Sequence, residues 1–174
     1  SVYVMALPYR FTDDPLTATL YVAALNVIGV GLLYIIAYRY LGFWPALAAG
    51  LIYAVNPWAV FYSRKIWAQD YHTPFVLLAL LLGLYGFHEN NGRNRRQFLA
   101  QVFCLPVLLF ALQIHFAAWV LLPLYVWLVW SGRKQIAGRA MIFSGLLSAL
   151  VLLPYAVGLM RTLEQDPTRI SDAI

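Results

Sequence analysis

The chain has 174 residues, of which 63% are hydrophobic and 11% are charged, and its mean hydropathy is +0.72. Soluble domains are about 45–50% apolar and about 25% charged, so this composition excludes an ordinary soluble domain and predicts an integral membrane protein surrounded by lipid. The formal charge of +5 comes from basic residues in short gaps between apolar runs. Membrane topology explains that placement, and we predict no nucleic-acid partner.

Six apolar segments predict an all-α fold, a polytopic transmembrane bundle of about six membrane segments, some of them short or kinked. In chain order they are residues 17–38, 45–62, 73–87, 98–114, 116–130 and 140–160. Asp14 and Pro15 precede the first segment and are typical of an N-cap followed by proline at the first helical position. We expect residues 1–174 to form a single transmembrane region, and a fragment of a larger one, because the chain begins without an initiator methionine.

The fourth and fifth segments lie so close together that they could form one helix. Residues 98–130 would span about 50 Å as a single helix, far more than a hydrocarbon core of about 30 Å. The run is interrupted by Gln113 and His115. We therefore predict a hairpin that reverses near His115, because it also places the basic loops before and after it on the same side of the membrane.

The basic residues then predict the orientation of the chain, with seven of them cytoplasmic and five external. The cytoplasmic set is Arg39, Arg93, Arg95, Arg96, Arg133, Lys134 and Arg139, and the external set is Arg10, Arg64, Lys65, Arg161 and Arg169. Both termini of the chain face outward in this topology. We expect the membrane to be the plasma membrane.

The loop between the second and third segments carries the densest group of candidate binding residues. In the stretch NPWAVFYSRKIWAQDYHTP, Arg64, Lys65 and Asp70 lie among aromatic residues. Cations and aromatic rings at a membrane boundary suit a lipid-linked phosphate, because a guanidinium matches phosphate oxygens and rings accept an isoprenoid or sugar face. The alternative is structural: Arg64 and Lys65 would reach lipid head groups, and Asp70 would cap the next helix.

Two further polar residues, Gln113 and His115, lie at the predicted hairpin tip, on the same side of the membrane as that loop. Polar side chains at membrane depth are often functional, so we include both as candidate substrate contacts. The alternative is that they bond backbone groups left open by the reversal. No set of metal ligands is recognisable, and Cys104 is the only cysteine.

This loop also carries a family resemblance. Ser63-Arg64 followed by Asp70, after an Asn56-Pro57 helix end and the stretch LGFWPALAAGLIYAVNP, resembles the external loop of polyprenyl-phosphate-dependent glycosyltransferases. The likeness is to the protein O-mannosyltransferase and aminoarabinose transferase family, and it covers roughly residues 15–114.

The resemblance implies a GT-C fold and transfer of a sugar from a polyprenyl-phosphate donor on the noncytoplasmic face. It implies that Arg64 lies near the donor phosphate with Lys65 as a helper, and it leaves a divalent metal ion open for the full-length protein. The family's catalytic acid belongs to an external loop that would precede Ser1, so we expect this fragment alone to be inactive. The sugar and the acceptor are not indicated.

Two other functions fit the same residues. A transporter or flippase of lipid-linked sugars would use the arginine and the aromatic rings to guide a head group, and broken helices suit it equally well. A noncatalytic membrane scaffold would use every charge as an anchor.

Overall fold

The computed structural model describes residue 4 and residues 6–65, 67–89 and 94–165, the last four as backbone alone. The described chain is predominantly helical and contains no strand. Its helices are α1 (Pro15–Leu41), α2 (Phe43–Val55), α3 (Pro57–Tyr62), α4 (Thr73–Gly83), α5 (Arg95–Ile114), α6 (Leu121–Ser131) and α7 (Gly138–Gln165). A π-helical turn, Leu84–His88, follows α4, and a 3-10 helix, Phe116–Val120, precedes α6.

Local sequence signals explain where the first three helices begin. The side chain of Asp14 accepts a hydrogen bond from the backbone N–H of Leu16 at 2.9 Å, with Pro15 at the first helical position, which confirms the predicted cap. Gly42 separates α1 from α2. It adopts a φ of +93°, a backbone conformation that glycine tolerates better than other residues do. Asn56 is extended, and its side chain caps α3 by accepting from the N–H of Trp58 at 2.9 Å.

The all-helical architecture is confirmed, whereas the count of six spans stays a prediction. Three helices are long and apolar enough to cross a membrane, namely Pro15–Leu41, Arg95–Ile114 and Gly138–Arg161. The other three apolar segments are shorter, being Phe43–Val55, Thr73–His88 and Phe116–Ser131. At 1.5 Å per residue, a 13-residue helix such as α2 covers only about 20 Å of a core of about 30 Å.

The chain reverses at His115, as the length of the apolar run predicts. Helix α5 ends at Ile114, and His115 is extended with φ −149° and ψ 133°. Helix α6 then returns along α5, so that Leu128 packs against Cys104 and Phe87. Gly132, just after α6, lies so close to the backbone of Phe87 that a Cβ atom there would clash with its carbonyl oxygen.

Two buried glutamines of α5 hold one end of the bundle together. Gln97 and Gln101 are 2% and 1% exposed. Gln101 Nε2 donates to the carbonyl of Gly86 at 2.8 Å and to that of Gln135 at 3.1 Å, while its Oε1 accepts from the N–H of Ala137 at 3.0 Å. These bonds join the π-helical turn, α5 and the segment between α6 and α7.

The same end carries the salt bridge between Arg39 and Glu89, to which Tyr40 also donates a hydrogen bond. We call this end of the molecule, defined by Arg39, Glu89 and Gln135, the Arg39 end. Arg93 and the chain termini, whose side of the membrane the sequence predicts, lie outside the described residues.

Helix α4 is shorter than its neighbour α1, and this difference creates space at the opposite end. The backbone of Pro74, at the start of α4, lies beside Gly29 in the middle of α1. Tyr71 packs in the core with Val22 of α1 and with Ile114, the last residue of α5, so the end of α5 lies near the level of Val22. The first two turns of α1 therefore extend beyond the ends of α4 and α5.

Candidate functional site

The loop between α3 and α4 folds inward over the short end of α4. Residues 63–65 form a turn, and Ala68–Asp70 form one 3-10 turn. Asp70 is only 3% exposed. Its Oδ2 accepts from the N–H of Trp67 at 3.2 Å, and its backbone carbonyl accepts from Asn26 Nδ2 at 2.7 Å. The loop is thereby anchored to the middle of α1.

Asp70 does not cap the next helix, contrary to the structural alternative considered from the sequence. Helix α4 has His72 as its N-cap residue, with no side-chain cap bond. The carboxylate instead closes the turn that contains it, and no described residue bonds its Oδ1.

The space is a cleft of about 370 Å³ between α1, α2, α3 and the loop. Its polar lining residues are Asn26, Asn56, Gln69, Asp70 and Thr73, and its aromatic lining residues are Tyr53, Trp58 and Tyr62. The rings of Trp58 and Tyr62 stack with centroids 5.8 Å apart and an interplanar angle of 18°. The cleft thus combines a flat aromatic wall with carboxylate, amide and hydroxyl groups, and none of the described residues that line it is basic.

The cleft lies deep along α1. Asn26 is 13 residues from Arg39, which corresponds to about 20 Å of helix. With Arg39 at one membrane boundary, the polar wall of the cleft lies within a hydrocarbon core of about 30 Å. Polar groups at that depth are costly unless they bond one another or a ligand.

Burial also raises the pKa of the Asp70 carboxyl, although the Trp67 N–H and the nearby Lys65 ammonium act in the opposite direction.

The two candidate cations of the loop have different surroundings. Lys65 is half-buried, and its Nζ lies 4.2 Å from the ring centroid of Phe61, 5.2 Å from that of Trp67 and 5.4 Å from that of Tyr62. Arg64 is exposed. No ion pair or side-chain hydrogen bond joins Arg64 to any described residue, Asp70 included.

The structure does not bring Gln113 or His115 into the cleft. Gln113 Nε2 donates to the carbonyl of Val151 at 3.1 Å and so ties α5 to α7. His115 Nδ1 accepts from the N–H of Ala117 at 3.2 Å and caps the 3-10 helix. His115 therefore bonds a backbone group at the reversal, as the structural alternative predicts, whereas Gln113 bonds a carbonyl of a different helix. A ligand contact for either stays a prediction.

His115 also faces His72, with ring centroids 5.7 Å apart. His72 Nε2 is buried and has no hydrogen-bond partner among the described residues. Burial, followed by the neighbouring imidazole, lowers the pKa of His72. The described residues contain no group of three or more His, Cys, Asp or Glu side chains that could hold a metal ion.

The sequence analysis marked the aromatic stretch that contains Trp58 and Tyr62, but neither the stacking of their rings nor Tyr53. Tyr53 belongs to an apolar helix in which aromatic residues are common, so nothing distinguishes it before the loop is folded. Gln69 and Asn26 did carry a signal, since one adjoins Asp70 and the other is a lone amide within an apolar span.

Comparison of the chain with family models, with curated proteins and with solved structures found no match.

Proposed function

We propose that this chain is part of an integral membrane glycosyltransferase that takes a sugar from a polyprenyl-phosphate donor. The observation that carries the proposal is the cleft, which is lined both by the stacked rings of Trp58 and Tyr62 and by the polar residues Asp70 and Asn26. A sugar ring offers an apolar face to aromatic rings and hydroxyl donors to carboxylate and amide oxygens. The resemblance of the loop to polyprenyl-phosphate-dependent enzymes supports the same function.

In this proposal the bilayer determines where each part of the donor lies. The polyprenyl chain lies in lipid beside the bundle, the sugar enters the cleft, and the phosphate stays near the loop that carries Arg64 and Lys65. The absence of any basic residue from the cleft lining supports this division, since the cleft suits an uncharged hydroxylated group better than an anion. The acceptor is not specified by these residues.

The proposed role of this chain is binding and orientation rather than proton transfer. We place the catalytic acid outside residues 1–174, as the family resemblance implies. Asp70 would accept a hydrogen bond from a sugar hydroxyl through Oδ1 while its Oδ2 stays on the Trp67 N–H. We propose that the cleft faces the noncytoplasmic side of the plasma membrane, with the Arg39 end in the cytoplasm, as the distribution of basic residues indicates.

The test is transfer by the intact protein in lipid nanodiscs, supplied with a panel of radiolabelled polyprenyl-phosphate sugars. Transfer to an added acceptor mixture and release of free polyprenyl phosphate are measured together. We expect Asp70→Asn and Trp58→Ala to lose about 10-fold or more in kcat/KM, because each removes a contact worth about 1.5 kcal/mol or more. Trp119→Ala is the matched control, since Trp119 is also exposed but does not line the cleft. Unchanged release in both cleft variants would refute the proposal.

The second candidate is a transporter of lipid-linked sugars, and the same cleft favours it because it opens part-way along the membrane-spanning length of α1. The two functions differ in one product. A transporter would move the labelled lipid between leaflets of a proteoliposome without releasing free polyprenyl phosphate, whereas an enzyme releases it.

A further inference from the structure

The loop beside the cleft presents two adjacent cations, and the structure treats them differently. Lys65 is half-buried among Phe61, Tyr62 and Trp67, and Arg64 is exposed to the surroundings. A cation that is already held in place loses less conformational entropy when it binds an anion than one that moves freely. Preorganisation therefore favours Lys65 over Arg64 as the residue that binds an anion.

The ammonium of Lys65 also has no hydrogen-bonding partner in the part of the chain that the structure describes. Three aromatic rings lie within 5.4 Å of Nζ, but no oxygen of the described residues accepts a hydrogen bond from it. Ring contacts of this kind contribute about 0.5–1 kcal/mol each at exposed sites, which is less than a hydrogen bond between an ammonium and an anionic oxygen contributes. An anionic oxygen could be bound without displacing the ammonium from all three rings.

The position of Lys65 relative to the cleft completes the case. Tyr62 contacts the ammonium and also lines the cleft, so Lys65 lies at its margin. Its charge is also close enough to Asp70 to stabilise the ionised carboxyl. A sugar in the cleft would have its anomeric phosphate near this margin, outside a lining that contains no cation.

We propose that Lys65, rather than Arg64, is the residue that binds the phosphate of a lipid-linked ligand, with its ammonium positioned by Phe61, Tyr62 and Trp67 at the margin of the cleft. The inference rests on the proposed function, because it assumes that the ligand carries a phosphate. It assigns the phosphate contact to a different residue from the one that the resemblance implies.

The experiment measures binding of citronellyl phosphate, a short water-soluble prenyl phosphate, and of inorganic phosphate to the intact protein in neutral nanodiscs. We expect citronellyl phosphate to bind more tightly than inorganic phosphate, because the ligand is lipid-linked. Lys65→Met should raise the Kd for citronellyl phosphate about 10-fold, which equals about 1.4 kcal/mol. Lys65→Arg should stay within about 3-fold of the parent because the charge and the ring contacts are retained.

Arg64→Met is the matched control, and we expect its Kd to stay within about 3-fold of the parent. Each variant is first shown to unfold at the temperature of the parent, and Lys65→Arg distinguishes loss of charge from loss of fold. A large loss in Arg64→Met with none in Lys65→Met would overturn the assignment and leave the proposed function standing. Equal losses in the two variants, or none in either, would also overturn it. If the parent binds neither ligand, or binds both equally, a lipid-linked phosphate is not the ligand and this inference fails, while the transfer assay judges the proposed function separately.

Discussion

Replacing Gln101 with leucine tests the view that two buried glutamines hold the Arg39 end together. Leucine has a similar size and keeps the helix, but it removes the bonds to the carbonyls of Gly86 and Gln135 and to the N–H of Ala137. Gly86 retains a long contact of 3.4 Å from Gln97, whereas the bond of Gln101 to it is 2.8 Å. A buried polar group left without its partner costs about 1–3 kcal/mol, and partly exposed groups cost less because water replaces the bond.

Of the three lost bonds, the one to Gly86 is buried and the other two are partly buried. The expected loss in the free energy of unfolding is therefore about 2–4 kcal/mol. The assay is reversible unfolding in mixed micelles, followed by circular dichroism. Gln69→Leu is the matched control, because it makes the same chemical change at an exposed position and should stay within about 0.5 kcal/mol of the parent. Equal stability of Gln101→Leu and the parent would refute the reasoning.

Two further predictions concern the orientation and the pH dependence. A cysteine placed at Gln69 should react with a membrane-impermeant maleimide added outside intact cells while one at Lys134 should not, and the reverse pattern would overturn the proposed orientation. Because the pKa of His72 is lowered in the folded protein, the unfolded chain binds more protons below about pH 6.5, so stability should fall as the pH drops from 7 to 5. His72→Gln should lose less stability than the parent over that range when both are measured with His115 intact, and identical pH profiles would show that the pair does not respond to acid.

The helices could be predicted because their determinants are local. The cap at Asp14, the break at Asn56-Pro57 and the reversal at His115 each depend on residues within one turn of the helix end. The apolar runs set the approximate position of each helix, since lipid favours segments whose backbone groups are bonded internally. These features require no knowledge of which helices are neighbours.

The cleft could not be predicted, because it depends on a difference in level between helices. The start of α4 lies beside Gly29 in the middle of α1, and nothing in the residues of α4 indicates where along α1 it begins. A lone amide within an apolar span, such as Asn26, is expected on general grounds to bond a neighbouring segment. That its partner is the carbonyl of Asp70 becomes evident only once the loop is folded inward.

The two ends of the bundle are held together by different kinds of contact, and the difference bears on how a ligand could enter. At the Arg39 end, buried glutamines and the Arg39–Glu89 pair connect segments distant in sequence through side-chain bonds. At the cleft end, the Asn26 amide bonds the loop to α1, Tyr71 packs against Val22, and the neighbouring wall is formed by aromatic rings. Ring and apolar contacts are less directional than the side-chain hydrogen bonds of the Arg39 end. Local opening free energies are lowest where few directional bonds cross between segments. We therefore expect the loop that carries Lys65 and Asp70 to move at lower cost than the Arg39 end if the proposed ligand binds, with the Arg39 end as the fixed frame.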